Sequence, residues 1–269
     1  MTDFVMNLKS LIGKRLRILT NVAIEPTNNC NFRCTMCIRY GRKAGYMPWE
    51  TFIEVMRQIQ NIPTVGFISL YFAGESFLHP QFMDMVDYID TKRPLYRKKY
   101  FVSHSTNGLL LTPEIFDALN GKIDILQISI DGSPEANEAH RIGSSYDVVA
   151  KNARYAISRP RSRTKIRINA CRIGSNECRE DFEATWSEAD TIRINEVHDA
   201  DLTFEVPTQH LTKYCHHLRR DAVVLWNGDI TTCCHDLAGK NVCGNLFDKG
   251  LVRTAPKVGP LCKKCDIWW

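Results

Sequence analysis

Short apolar runs alternate with amphipathic segments between about residue 21 and residue 197. The runs predict six β-strands, at residues 21–27, 66–72, 100–105, 125–130, 165–170 and 191–197. Segments with helical spacing of apolar residues lie between them, at residues 49–60, 80–91, 112–120, 146–157 and 178–187. Strands that alternate with helices favour a parallel sheet. The fold class is therefore predicted to be α/β, with the sheet curled into a barrel or part of one.

The pattern changes after about residue 200. Residues 201–214 show no clear period, and the remaining residues are rich in turns and cysteines. Such a segment is expected to bury little surface, and it would need a metal to hold it together. We therefore expect two domains, an α/β domain at residues 1–200 and a small metal-bound domain at residues 201–269.

Composition and charge exclude some classes of protein. The chain is 44% hydrophobic and 24% charged, as is ordinary for a globular protein. It shows no membrane span and no secretory signal, which predicts a cytoplasmic protein that does not bind a membrane. The net charge is +5, but the basic runs at residues 97–99 and 159–163 precede strands. In β/α folds that edge lies away from the site, so a nucleic-acid partner is not expected.

Eleven cysteines stand out in such a chain. In a reducing compartment they favour metal binding over disulfides. Three of them lie between residues 30 and 37 and six between residues 215 and 265, while only Cys171 and Cys178 lie elsewhere. This distribution predicts two metal sites.

The first group consists of Cys30, Cys34 and Cys37, directly after the first predicted strand. Three thiolates on one short loop can hold three irons of a [4Fe–4S] cubane and leave the fourth iron open. Structural zinc is the alternative, although such sites usually use four protein ligands.

This CxxxCxxC loop resembles the signature of the radical S-adenosylmethionine (SAM) superfamily, and the resemblance extends over residues 20–265. It implies a partial (β/α)6 barrel in which the open iron of a [4Fe–4S] cluster chelates SAM. Reductive cleavage of SAM in that family gives a 5′-deoxyadenosyl radical, which abstracts a hydrogen atom. Met36 stands where the family usually has an aromatic residue beside the adenine.

Three further stretches and one arginine support the resemblance. Residues 73–76 resemble the GGEP motif, 105–108 a TNG turn, and 129–132 an SLDG-type turn, each at the end of a predicted strand. Arg141 matches an arginine that pairs with the SAM carboxylate. The resemblance thus implies SAM contacts from Met36, Gly74, Glu75, Ser105, Asn107, Ser129 and Arg141.

The second cysteine group resembles the auxiliary-cluster domain called SPASM or, in its shorter form, twitch. By position, the resemblance implies one auxiliary [4Fe–4S] cluster on Cys215, Cys233, Cys262 and Cys265. Full ligation by protein would make this cluster an electron relay or a structural staple. Spacing alone leaves zinc open here. Cys234 is expected to be structural, and Cys171 and Cys178 to be small buried residues.

The reaction is less constrained than the cofactors. The layout resembles the 2-deoxy-scyllo-inosamine dehydrogenases, which implies two-electron oxidation of an alcohol on a small polar, sugar-like or aminocyclitol-like substrate. A second possibility is a redox-neutral epimerase in which Cys243 donates a hydrogen atom. The sequence also leaves open a peptide-modifying maturase and a non-catalytic iron–sulfur electron carrier.

Substrate groups are expected at the ends of the fifth and sixth strands. Arg172, Glu196 and His198 follow those strands and are candidates for substrate binding and proton removal. The expected partner is a flavodoxin- or ferredoxin-type reductant.

Overall fold

Six parallel strands follow one another across a sheet in chain order. The computed structural model describes residues 18–37, 41–93, 100–160, 163–172, 178–196, 215–254 and 262. The strands are β1 Asn21–Ile24, β2 Phe67–Ser69, β3 Phe101–Thr106, β4 Ile125–Ser129, β5 Lys165–Arg172 and β6 Thr191–Glu196. Each pairs in parallel with the next. The predicted parallel α/β sheet is confirmed.

Helices connect these strands. They are α1 Trp49–Gln60, α2 Phe82–Lys92, α3 Pro113–Leu119, α4 Pro134–His140, α5 Tyr146–Ser158 and α6 Arg179–Thr185, and a 3-10 turn covers Ser76–Leu78. Thr112 caps α3, because its side chain accepts a hydrogen bond from Ile115 N–H at 3.4 Å. The sequence pattern does not predict α4, because its seven residues carry no apolar period.

The two faces of the sheet differ in polarity. Leu126, Ile128, Ile166 and Ile168 are fully buried in the apolar core that the helices cover. Positions 127 and 129 of β4 and positions 167 and 169 of β5 carry polar side chains, and Arg167 donates to Gln127 Oε1 at 3.4 Å. Right-handed crossovers that always advance in one direction place every helix on one face, which curls the sheet into a partial barrel.

The cysteine-rich tail extends this sheet. β7 Asp221–Val224 pairs in parallel with the free edge of β1, and β8 Asp229–Thr231 and β9 Gly244–Asn245 follow it in antiparallel pairing. Two short helices, α7 His216–Arg220 and α8 Gly250–Arg253, flank these strands. Ile230, Leu246 and Leu251 belong to the same buried core as β1 to β5. The expectation that this segment buries little apolar surface was wrong, while the domain division at residue 200 stays a prediction.

Helix length and the pairing of basic side chains bear on membrane and nucleic-acid binding. In the described part of the chain, no helix is long and apolar enough to cross a membrane. Arg159 pairs with Asp117 at 3.5 Å and Arg163 pairs with Asp90 at 2.7 Å. These arginines are therefore engaged with acids of the same chain. The basic run at residues 97–99 lies outside the described residues.

Candidate functional site

The cluster loop, residues 30–37, is held on one side by the turn after β2. Glu75 N–H donates to Asn29 O at 2.7 Å, which ties this turn to the segment just before Cys30. A Cβ on Gly74 would lie 2.3 Å from Thr27 O and 2.5 Å from Asn29 O. Only glycine permits such an approach of two backbones. Gly74 therefore positions the cluster loop.

The end of α4 holds the other side of the cluster loop. Arg33 N–H donates to Ile142 O at 2.8 Å, and Thr35 N–H donates to His140 O at 2.9 Å. The cluster loop thus lies between the turn after β2 and the residues that follow α4, which fixes it at the carboxyl edge of the sheet.

The thiols of Cys30 and Cys37 lie near enough to Cys34 to affect its pKa. Burial raises the pKa of Cys34 to about 11, the nearby Arg141 opposes this, and Cys30 and Cys37 raise it further. Among the described residues, these thiols are not within 4.8 Å of one another as a set. A single tetrahedral zinc would bring sulfurs to about 3.8 Å. The thiols are therefore not drawn together as the ligands of a single zinc ion would be.

Glu75 links the ends of β2 and β3 through its carboxylate. It is buried and accepts hydrogen bonds from Phe77 N–H (3.3 Å), the Thr106 hydroxyl (3.1 Å) and Asn107 N–H (2.7 Å). Burial raises its pKa to about 7, against the lowering effect of these donors. Three donors leave acceptor capacity on the carboxylate for one more.

Arg141 is buried and binds Asp131 through two hydrogen bonds. Its Nε and Nη2 donate to the Asp131 oxygens at 2.8 and 3.0 Å. Asp131 also accepts from Cys171 N–H at 2.7 Å, which joins the pair to the end of β5. Burial raises the pKa of Cys171, and Arg141 opposes that rise. The Cys171 thiol therefore lies close to the Arg141 guanidinium. The same guanidinium also lowers the pKa of Cys34.

The remaining predicted SAM residues lie along the same edge. Asn107 Nδ2 donates to Asn31 Oδ1 at 2.8 Å and lies 3.9 Å from Cys30 Sγ. Ser105, Ser129 and Met36 are half-buried. Their contact with SAM stays a prediction.

Polar side chains line the face of the sheet that the helices do not cover. Gln127 Nε2 donates to the Tyr71 hydroxyl at 2.9 Å, and Asn195 Nδ2 donates to Asn169 Oδ1 at 2.8 Å. Ser129, Asn169 and Arg193 are neighbours in register on β4, β5 and β6. These polar side chains therefore share one face of the sheet.

Three of the four proposed auxiliary ligands lie among the described residues. Cys215 precedes α7 and Cys233 follows β8. Burial raises the pKa of Cys233, and the thiols of Cys234, Cys262 and Cys215 raise it further. Cys265 lies outside the described residues. The thiols of Cys215, Cys233 and Cys262 do not all lie within 4.8 Å of one another, and the same is true of the three thiols of the cluster loop.

The candidate substrate residues are only partly described. Arg172 and Glu196 end β5 and β6 and are partners in register. His198 lies outside the described residues. The Cys243 thiol donates to Asn241 O at 3.2 Å. The roles of all four stay predictions.

Sequence reasoning misses Asp131 and the place of Cys171. In the sequence Asp131 stands only in a turn, and its buried pairing with Arg141 depends on the short helix α4 between them. Cys171 is half-buried beside that pair rather than an inert part of the core. The alternation of β5 could have indicated that it shares the polar face with Asn169.

Comparison with known proteins finds relatives in sequence and in structure. A curated relative, the tungsten-containing aldehyde ferredoxin oxidoreductase cofactor-modifying protein of Pyrococcus furiosus, is 31% identical over 123 residues. These are 45% of this chain and 33% of that protein, so the match spans about a third of the relative's length.

Solved structures show the same fold. BtrN in complex with AdoMet and 2-DOIA matches with a TM-score of 0.57 at 17% identity, over 87% of this chain and 81% of that chain. Streptococcus suis SuiB bound to the precursor peptide SuiA matches with a TM-score of 0.70 at 15% identity, over 93% of this chain and 68% of that chain. anSMEcpe with bound AdoMet matches with a TM-score of 0.68 at 17% identity, over 92% and 86%.

The family model described as "Radical SAM superfamily" matches residues 24–183, which are more than half of the chain. This segment runs from the end of β1 into α6 and includes the cluster loop, Glu75 and Arg141. The chain belongs to the radical SAM superfamily, with a [4Fe–4S] cluster and SAM as its cofactors.

Proposed function

We propose that this radical SAM enzyme oxidises an alcohol carbon of a small polar, sugar-like or aminocyclitol-like substrate by two electrons. When bound, the cluster and SAM supply the radical that removes the carbon-bound hydrogen atom. The cysteines at residues 30, 34 and 37 would hold the cluster, because they are the three thiols of the cluster loop, and Cys30 and Cys37 both raise the pKa of Cys34.

The observation that carries the oxidation is that Cys215 and Cys262 lie near enough to Cys233 to raise the pKa of its thiol. After a hydrogen atom and the hydroxyl proton have left an alcohol, one electron must leave as well. A second, fully ligated cluster would provide an outlet for it. An auxiliary cluster on these residues with Cys265, in a domain of the twitch type, is part of the proposal.

The polar face of the sheet supports a small polar substrate. Ser129, Asn169, Arg193 and Asn195 offer donors and acceptors on neighbouring strands. Glu196 and His198 are the proposed acceptors of the hydroxyl proton, and Arg172 a proposed binding group. A flavodoxin- or ferredoxin-type donor and a cytoplasmic location complete the proposal.

Epimerisation is the second candidate, and the position of Cys171 favours it. This thiol lies beside Arg141, whereas Cys243 is the donor that the sequence suggests. A thiol would return a hydrogen atom to the substrate carbon without net oxidation. Modification of a peptide is a further candidate, because SuiB is a structural neighbour bound to a precursor peptide.

Turnover in D2O separates these reactions. The substrate panel would contain aminocyclitols, amino sugars and a peptide, with product mass as the readout. Oxidation predicts a product two hydrogens lighter than the substrate, and nearly normal turnover in Cys243→Ala and Cys171→Ala. A product of unchanged mass apart from one deuterium, lost in either cysteine variant, would replace oxidation by epimerisation and identify the donor.

A further inference from the structure

A third group of ligand-type side chains lies beside the auxiliary cysteines. Single ligand atoms of His217, Cys234 and His235 all lie within 4.8 Å of one another. Cys234 Sγ is 3.7 Å from Nε2 of His217, and the two imidazole rings have centroids 5.8 Å apart. A tetrahedral zinc ion with its usual bond lengths separates sulfur and nitrogen ligands by about 3.6 Å. The spacing therefore suits one metal ion.

This spacing differs from that of the two thiol sets. In the described part of the chain, His217, Cys234 and His235 form the one group of three or more such residues that meets the 4.8 Å limit. The described thiols of the two proposed cluster sites do not meet this limit. His217, Cys234 and His235 thus form a donor set that is distinct from both thiol sets.

The Asp221 carboxylate holds the His217 ring at Nδ1, and a histidine that binds a metal is commonly held in this way. Its Oδ2 lies 2.5 Å from His217 Nδ1, and its Oδ1 accepts from Asn21 Nδ2 at 2.7 Å. A carboxylate on Nδ1 favours the tautomer with hydrogen on that nitrogen, which leaves the Nε2 lone pair for a metal. This contact is independent of the distances among the three ligands.

We propose that His217, Cys234 and His235 bind one mononuclear zinc-class ion, separate from both cysteine sets. Two imidazoles and one thiolate suit zinc among the common divalent metals. Cys234 is exposed, so an ion from solvent can reach it. The ion would connect α7 to the turn after β8, next to Cys215 and Cys233. Three protein ligands leave a fourth position for water.

The test uses the full chain reconstituted without oxygen with iron and sulfide. Zn²⁺ is then added and the excess removed. We expect one zinc per chain at unchanged iron content, and zinc-edge X-ray absorption that shows one sulfur and two nitrogen ligands. Cys234→Ser and His217→Gln should each weaken zinc binding at least tenfold without loss of iron. Asp221→Asn should weaken it about ten- to a hundredfold.

Cys178→Ser is the matched control. Cys178 is also exposed, and its thiol lies 3.1 Å from the Glu180 carboxylate. Among the described residues, it does not form a potential metal-binding group with a histidine. Its variant should bind zinc as the parent does. Absence of stoichiometric zinc from the parent, a zinc environment of four sulfurs, or unchanged zinc affinity in both ligand variants would overturn the proposal. A loss of about four irons in Cys234→Ser or His217→Gln would also overturn it, because those residues would then belong to the auxiliary cluster.

Discussion

Replacing Glu75 by Gln should change how stability depends on pH. Glu75 is buried, and burial raises its pKa to about 7 from an ordinary value of 4.5. A carboxyl group whose pKa is raised on folding contributes stability below its unfolded pKa, and this contribution is lost as the pH rises through the folded pKa. The full loss is about 3 kcal/mol, because each pH unit between the two pKa values corresponds to about 1.4 kcal/mol. Gln does not titrate and should not show this loss.

The difference in stability between Glu75→Gln and the parent isolates this effect. From pH 5 to 8.5 the variant should gain about 2–3 kcal/mol relative to the parent, or roughly 5–10 °C in melting temperature. The hydrogen bonds from Thr106 and Asn107 suit a carboxylate better than an amide, which adds a constant offset. The quantity to measure is therefore the slope with pH of the stability difference between variant and parent. Scanning calorimetry without oxygen provides it.

Glu54→Gln provides the control for this slope. Hydrogen bonding from Arg57 lowers the pKa of Glu54, so this residue is ionised throughout the range and its variant should run parallel to the parent. A flat difference for Glu75→Gln as well would refute the reasoning, since Glu75 would then be ionised at pH 5. Equilibrium binding of SAM adds a second readout. The variant should bind it about tenfold more weakly if Glu75 also receives the SAM amino group, as the resemblance implies.

Three further changes test the site. Replacing all three cysteines of the cluster loop by Ala should halve the iron of the reconstituted chain, from about eight to about four, and abolish SAM cleavage; an unchanged iron count would contradict the assignment. Arg141→Ala should lower the free energy of unfolding by about 3–5 kcal/mol, because it leaves the Asp131 carboxylate buried without its partner; urea unfolding would show this, and Asp131→Asn in the same chain should recover part of the loss. Gly74→Ala should displace the cluster loop and reduce iron retention, because its Cβ would lie 2.3 Å from a backbone oxygen. Gly66→Ala, which meets nothing within 4 Å, should retain iron as the parent does.

Local patterns predicted the elements but not their lengths. The apolar runs located all six strands from β1 to β6, because alternating burial is visible in neighbouring residues. The run at 66–72 became a strand of three residues, Phe67–Ser69, because pairing with β1 and β3 decides where a strand ends. α4 was missed because a short helix needs no apolar stripe when caps and a neighbouring loop hold it.

Pairing of the tail could not be read from the chain. β7 joins the edge of β1 across about two hundred residues, and nothing local to residues 221–224 indicates that partner. The apolar side chains of the tail looked too few for a core because the sequence does not show that they complete one already formed by β1 and α1.

The sequence by itself determined the alternating β/α order and the grouping of the cysteines of the cluster loop, because both are encoded within a few consecutive residues. Only the tertiary structure decided which distant groups meet. Arg141 binds Asp131, Glu75 receives donors from Thr106 and Asn107, and His217 approaches a cysteine seventeen positions further along. Such contacts depend on loop closure and on the register of strands, which result from the free energy of the whole packed chain and leave no local pattern.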